Sequence, residues 1–421
     1  MDNQLWYRLD HAAKMYSSIV SSRATTLFRV SATLTSQIDA THLQSALEAT
    51  LRRFPFYKVQ LKQGVFWYYL EATSQIPLVE EENYYPCMSL GIKRSGSFLF
   101  RVLYYNKRIS VELSHSLTDG TGGLKFLQEM IIQYLHLKES IAVNNPEPDQ
   151  KQLQSEIENS FLKYYEKEIP ILKSRIGKSF KLPIALDKKG RYYITTGIID
   201  VTELKQKAHY YETTVTILLT AIYIESLLKI QDDVARRHYP IVINVPVDMR
   251  SFFKSETMRN FFVSISPSID SRLGNYEFTE IIDELKIEFR RLLSPKRLKQ
   301  SIKRSVIGEK SFWLRIVPSP LKDIITPSIY SLFGESQYTS GLSNMGVVQM
   351  PSEIEQFIER FECYPPPSIG NKVKAFMISY QKHLYFSFGN LSKDRMLERE
   401  FFRNIRKKGI DVAIETNDEE N

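Results

Sequence analysis

Two stretches of this 421-residue chain align without a gap: "YYNKRISVELSHSLTD", residues 104–119, and "SYQKHLYFSFGNLSKD", residues 379–394. The first, extended back through "FLFRVLYY", reads as a β-hairpin that turns at "NKR" and runs straight into a helix. The second is also followed by a helix. Upstream of them, "IDATHLQSAL" and "IDVTELKQKA" each follow a strand and open a helix at an Asp or Thr cap. Such a repeat constrains the fold more than composition can, because the same order of strand, helix, hairpin and helix has to be built twice. It predicts a mixed α/β chain of two alike lobes, residues 1–185 and 186–421, joined through "KYYEKEIPILKSRIGKSFKLP". The length agrees, being too great for one ordinary core and suited to two of roughly 200 residues.

Composition removes several function classes. Cys87 and Cys363 are the only cysteines, which offers neither a disulfide framework nor zinc-ligand spacing and suits a reducing compartment. "MDNQLWYRLDHAAKMY" lacks the charged tip and apolar core of a leader peptide, and no apolar run approaches the roughly 18 residues that span a bilayer. The expectation is a soluble, cytoplasmic monomer with no transmembrane segment, no metal and no permanently bound cofactor. The 56 basic and 48 acidic residues leave a formal charge of +8, a mild imbalance. The densest basic run, "KRLKQSIKR" from Lys296, falls on a helix and reads as its solvated face rather than as a phosphate site. Nucleic acid is not expected, since the 24 Tyr and 24 Phe are spread through strands and helices instead of clustering with the basic residues. The terminal "ETNDEEN" reads as a frayed acidic tail.

The two copies differ where it matters chemically. His115 of the first corresponds to Asn390 of the second, and Asp119 to Asp394. His115 ends an apolar strand just before a helix in which Leu124, Leu127, Ile131, Tyr134 and Leu135 recur at helical spacing, with Thr118 or Asp119 as the cap. An imidazole with its ordinary pKa near 6.5 is a neutral base at pH 7, whereas asparagine cannot accept a proton there. One site per chain follows. Ser114 points to the other face of the strand and no G-x-S-x-G elbow exists, so a serine hydrolase is not expected. Asp119, at a helix start, suits the dipole and an ion pair with an arginine better than a role as a second base. Taken alone, the string also reads as a capped helix after an ordinary strand-end histidine.

The wider sequence carries a resemblance. "HSLTDG" matches the H-x-x-x-D-G signature of the condensation-domain-like, CoA-dependent acyltransferases, the superfamily of chloramphenicol acetyltransferase, plant BAHD enzymes and nonribosomal peptide condensation domains. "WYRLDHAAKMY", "RFPFYKVQL", "FWYYLE", "VPVDMRSFF" with "RNFF", and "LSNMGVV" follow in the order of its bacterial alcohol acetyltransferase-like branch. The resemblance implies α+β two-layer sandwiches, two chloramphenicol-acetyltransferase-like lobes forming a pseudo-dimer, with His115 midway along an interlobe tunnel. His115 would be the general base, Asp119 the partner of Arg250, and Gly120 a tight turn beside the channel. Ser343 and Asn344 would offer polar groups to a developing oxyanion. Acyl-CoA would be the co-substrate and a small or lipid-like alcohol or amine the acceptor. An acyl-carrier protein as donor, or a relative that binds such ligands without catalysis, are the alternatives. Condensation domains usually carry two consecutive histidines, and here Ser114 takes the first place, which favours a free-standing transferase.

Overall fold

The computed structural model describes residues 6–21, 25–143, 148–171, 177–310, 317–333 and 335–418. In chain order the first half contains β1 (Trp6–Arg8), α1 (His11–Ile19), β2 (Leu27–Leu34), α2 (Ala40–Arg53), β3 (Val59–Gln63) and β4 (Tyr68–Ala72). Then come β5 (Val79–Glu81), β6 (Phe100–Tyr105), β7 (Arg108–Ser114), α3 (Gly120–Glu139), α4 (Gln150–Ile157) and α5 (Ser160–Lys163). The second half begins with β8 (Tyr193–Asp200), α6 (Val201–Tyr210), α7 (Val215–Val234), β9 (Ile241–Asp248), β10 (Phe262–Ile265) and β11 (Ser268–Ile269). It continues through α8 (Phe278–Leu292), α9 (Pro295–Lys310), α10 (Ser319–Phe333), β12 (Ser340–Val347), α11 (Ser352–Glu355) and β13 (Ile358–Tyr364). β14 (Val373–Tyr380), β15 (His383–Asn390), α12 (Met396–Lys407) and β16 (Ala413–Thr416) close the chain.

Local chemistry explains most of the element starts. Asp10, Asp39, Asp119 and Asp200 cap α1, α2, α3 and α6, each carboxylate accepting an amide of the first helical turn. The apolar residues of α3 named above are all buried against the first sheet. That sheet runs β13-β2-β7-β6-β5, and the larger one runs β10-β9-β12-β14-β15-β8-β16, with β11 beside β9. A third, small sheet is β1-β4-β3.

The internal repeat is structural. β2-β7-β6-β5 and β8-β15-β14-β12 have the same order, the last strand of each set parallel to its neighbour and the others antiparallel. The hairpin turns place aligned residues, Asn106 and Gln381, in the left-handed region at φ 50° and 51°. Helices α2 and α3 pack on the first sheet, and α7, α8 and α12 on the second.

Two parts of the sequence reading need correction. The lobes are not contiguous halves of the chain, because β13 crosses back to complete the first sheet, pairing Phe361 with Ala32 and Cys363 with Val30. The acidic end is not wholly a frayed tail: Glu415 and Thr416 belong to β16, which pairs with β8, and Glu415 bonds Arg360 at 2.7 Å. Of the linking segment, residues 172–176 lie outside the described residues. Before them, Phe161 of α5 packs with Met249, Phe261, Leu298, Ile302 and Val306 of the second half. No single described helix is long and apolar enough to cross a membrane.

Candidate active site

Strand β7 delivers His115. It is paired on both edges, Ser114 with Leu27 of β2 and Leu113 with Phe100 of β6, so its end is held firmly. Ser114 turns away from the histidine's face, lying 3.3 Å from the Thr26 hydroxyl and accepting the Ser116 N–H at 3.1 Å. Its hydroxyl therefore closes the turn. The His115 ring stacks on Tyr16, centroids 4.8 Å apart, with Phe28 at 4.7 Å and Phe262 at 5.8 Å. Burial among these rings pushes its pKa down to about 4, and the Asp119 charge, the Thr118 backbone carbonyl and the Asn260 side chain offset only part of that. The imidazole is neutral at pH 7, and its Nδ1 is buried without a hydrogen bond of good geometry.

Asp119 accepts four donors. Its Oδ1 takes the Gly122 N–H at 3.0 Å and Arg250 Nη2 at 3.2 Å, and its Oδ2 takes Arg250 Nη1 at 2.9 Å and the Phe261 N–H at 2.8 Å. A carboxylate so occupied holds structure and has little capacity left to move protons. Arg250 also donates to the carbonyls of Thr257 and Arg259 and to Asp248, tying the His115 loop to the segment after β9.

Gly120 departs from its expected role. It is the first residue of α3 and is absent from the positive-φ glycines, so no tight turn depends on it. A Cβ there would meet only the end of the Met345 side chain, its sulfur at 2.8 Å and its methyl at 3.0 Å. Gly122 is the more constrained position, since an added Cβ would lie 2.2 Å from Thr118 Oγ1 and 2.4 Å from the Met258 carbonyl. Thr118 Oγ1 donates to that carbonyl at 2.5 Å and accepts from Tyr57 at 3.1 Å.

Asn260 and Asp10 were missed by sequence reasoning. Asn260 Nδ2 donates to the His115 carbonyl at 3.0 Å and to the Asp10 carboxylate at 3.1 and 3.3 Å. Asp10 in turn caps α1, the helix that carries Tyr16 onto the imidazole. "RNFF" and "WYRLDHAAKMY" contained both residues, but nothing in either string indicates that they meet.

His115 and Asp119 border a cavity of about 540 Å³ between the two lobes, with Tyr16, His115 and Thr121 on one side and Asn244, Phe262 and Ser343 on the other. Ser343 is half-buried on its wall. Asn344 is exposed, its amide nitrogen donating to Thr216 Oγ1 at 2.9 Å and its oxygen accepting the Gly346 N–H at 2.8 Å.

The aligned junction of the second lobe is filled. Asn390 Nδ2 donates to the buried Glu398 carboxylate at 2.7 Å and to the Asp394 carbonyl at 2.8 Å. Glu398 stands where the first lobe has Gly123, so a side chain occupies the space beside the strand end.

Comparison with family models finds no match, and comparison with curated proteins finds none either. Solved structures do match, over nearly the whole chain. TRI101 of F. graminearum, complexed with coenzyme A and deoxynivalenol, superposes with a TM-score of 0.64 at 10% identity, covering 96% of this chain and 97% of that one. Polyketide synthase associated protein 5 from Mycobacterium tuberculosis gives 0.59 at 14% identity, over 95% and 98%. The starter condensation domain of rhizomide synthetase RzmA gives 0.57 at 9% identity, over 96% of each. The fold is that of the condensation-domain-like, CoA-dependent acyltransferases. In this acyltransferase fold the two repeated lobes face each other across the cavity described above, and His115 borders it from the first lobe alone.

Proposed function

We propose that the protein transfers an acyl group from acyl-CoA to a hydroxyl or amine of a small or lipid-like acceptor, with His115 as the general base. One observation carries this reading: a neutral imidazole, held at the end of a doubly paired strand, borders a cavity shared by both lobes. The acceptor's proton passes to the imidazole as its oxygen or nitrogen attacks the thioester carbonyl. The tetrahedral intermediate collapses with cleavage of the C–S bond, and the imidazolium returns the proton to the departing thiolate. No covalent enzyme intermediate is needed, because the lobes hold both reactants at one base. Asp119 and Arg250 support the loop and take no proton. Ser343 and Asn344 both border the cavity and are the candidates to meet the oxyanion, one of the two Asn344 amide N–H groups being used by Thr216. The similarity to TRI101, whose structure contains coenzyme A and deoxynivalenol, supports a CoA thioester as donor. An alcohol acetyltransferase-like specificity is the finer form of the proposal.

The test is incubation with a panel of acyl-CoA thioesters and cell extract, reading free thiol and product masses. Acylated products that disappear with His115→Ala support the reading. Thioester turnover only from an acyl-carrier protein would move the protein to the condensation-type alternative, and no turnover from any donor would leave a ligand-binding relative.

A further inference from the structure

Helix α10 carries its charges on its inner side. Its only charged residues, Lys322 and Asp323, turn toward the β3–β4 hairpin. Lys322 Nζ donates to the Phe66 carbonyl at 2.6 Å, and Asp323 accepts the Tyr68 hydroxyl at 2.5 Å and Lys93 Nζ at 2.9 Å. Ser319 shares that face, its N–H and hydroxyl bonding the carbonyls of Val65 and Gly64. Leu321, Ile324 and Ile325, set at the same i, i+3, i+4 spacing on another side of the helix, are all exposed. A helix that faces water turns its apolar residues inward and its charges outward, so the arrangement here is inverted.

The hairpin tip extends the apolar surface. Because Ser319 bonds the carbonyls of Gly64 and Val65, the exposed Val65 and Phe66 lie beside the start of α10, and Val65 and Ile324 are each 72% exposed. Single apolar side chains on a surface need no partner, but large ones gathered on two adjoining elements mark a contact site. Cations accompany them. Lys322 and Lys14 lie 3.3 and 5.1 Å from the centre of the Trp67 ring, Lys93 lies 5.2 Å from that of Tyr68, and Arg94 is exposed next to Lys93. The surface also adjoins the large cavity: Lys93 and Asp323 line it, and its wall continues through Ile19, Val20 and Ser21 at the end of α1, which packs against α10.

We propose that this face seats on an anionic phospholipid bilayer, with Val65, Phe66, Leu321, Ile324 and Ile325 at the acyl-chain boundary and Lys93 and Arg94 toward the lipid headgroups. Apolar area and basic residues on one face are what hold a peripheral protein at such an interface, and the chain's formal charge of +8 adds to the attraction. A second copy is the poorer occupant, since a symmetric contact would bring the same cations face to face. A protein partner would need grooves for side chains that protrude from both a helix and a hairpin tip, whereas a bilayer takes any such shape. Joined to the acyltransferase reading, on which this step rests, the surface makes the acceptor a membrane-resident, lipid-like alcohol or amine that enters the cavity beside α1 and α10 without crossing water.

The experiment is cosedimentation of the full chain with vesicles of equimolar phosphatidylcholine and phosphatidylserine, and with vesicles of phosphatidylcholine alone, comparing the wild type with Leu321→Gln/Ile324→Gln. Glutamine is a good helix former, both positions are exposed and neither borders the cavity, so the variant is expected to fold and keep its chemistry. The wild type should bind the mixed vesicles and bind phosphatidylcholine alone more weakly. Part of that binding should be lost as salt rises from about 0.1 M to about 1 M, which shortens the screening length from about 10 Å to about 3 Å. The variant should bind the mixed vesicles about tenfold less tightly. No vesicle binding by the wild type, or equal binding by the two proteins, overturns the proposal. So does self-association, or capture of an acyl-carrier protein, that the variant abolishes while its vesicle binding is unchanged. Acyl transfer to a short water-soluble alcohol should be equal in the two proteins. Its absence from both would end the acyltransferase reading, while vesicle binding lost in the variant would still support the surface.

Discussion

Asp119 and Arg250 form a two-point ion pair between the start of α3 and the end of β9, Nη1 to Oδ2 at 2.9 Å and Nη2 to Oδ1 at 3.2 Å. Both side chains are nearly buried. Removing either partner strands the other's charge, so Asp119→Asn and Arg250→Ala should each cost about 3–5 kcal/mol. Combined, they should cost clearly less than the sum, because the second change removes a charge already stranded. Denaturant unfolding of the two single variants and the double variant checks this, and strict additivity would show that the pair contributes nothing as a pair.

His115→Ala should lower turnover by roughly 10²–10⁴-fold. It should also cost about 1–3 kcal/mol, since the ring packs against Tyr16, Phe28 and Phe262. Initial rates at a temperature well below both unfolding transitions separate the two effects. Activity that recovers fully once the variant is folded would give the histidine a structural role only.

The pH dependence has a definite sign. In the folded protein burial holds the His115 pKa at about 4, below its ordinary 6.5. Between those values the unfolded chain binds the extra proton and the folded chain does not. Stability should therefore fall as pH drops from about 6.5 toward about 4, by at most about 1.4 kcal/mol per pH unit from this group. Unfolding curves of wild type and His115→Phe at several pH values in that window should diverge accordingly. For the same reason kcat/KM should pass through pH 6.5 without an inflection caused by this residue, and an inflection there that His115 accounts for would mean a solvated ring.

Gly122→Ala and Gly120→Ala should behave differently. At Gly122 the new methyl would collide with the Met258 carbonyl and the Thr118 hydroxyl, one of them backbone, so the His115 loop must shift. At Gly120 the contact is with the flexible Met345 side chain, which can move. Thermal unfolding should show a loss of about 1–3 kcal/mol for the first and under about 1 kcal/mol for the second. Equal Tm values would refute the difference.

Asn390→Ala should cost about 1–3 kcal/mol, because it leaves the buried Glu398 carboxylate without its amide donor. Single-turnover acyl transfer should be unaffected. A folded Asn390→Ala protein without the chemical step would show machinery in the second lobe that its filled junction does not suggest.

Much of this was legible locally. The hairpins, the helices that follow them and the aspartate caps depend on residues within a few positions of one another, which is why two aligned strings gave two alike units down to matching left-handed turn residues. The histidine's position at a strand end was legible for the same reason. Its lowered pKa was not, because Tyr16, Phe28 and Phe262 reach it from three separate elements.

The chain's own order of residues thus determined the elements, the repeat and the single histidine that distinguishes its copies. Tertiary structure alone decided that β13 would leave its half of the chain to complete the first sheet, since backbone pairing between distant strands leaves no local mark. It also decided that Asn260 would join Asp10 to the His115 carbonyl, and that Ile324 and Ile325 of α10 would face outward. A side chain's spacing says which face of its helix it shares, but what that face meets depends on packing between segments far apart in sequence.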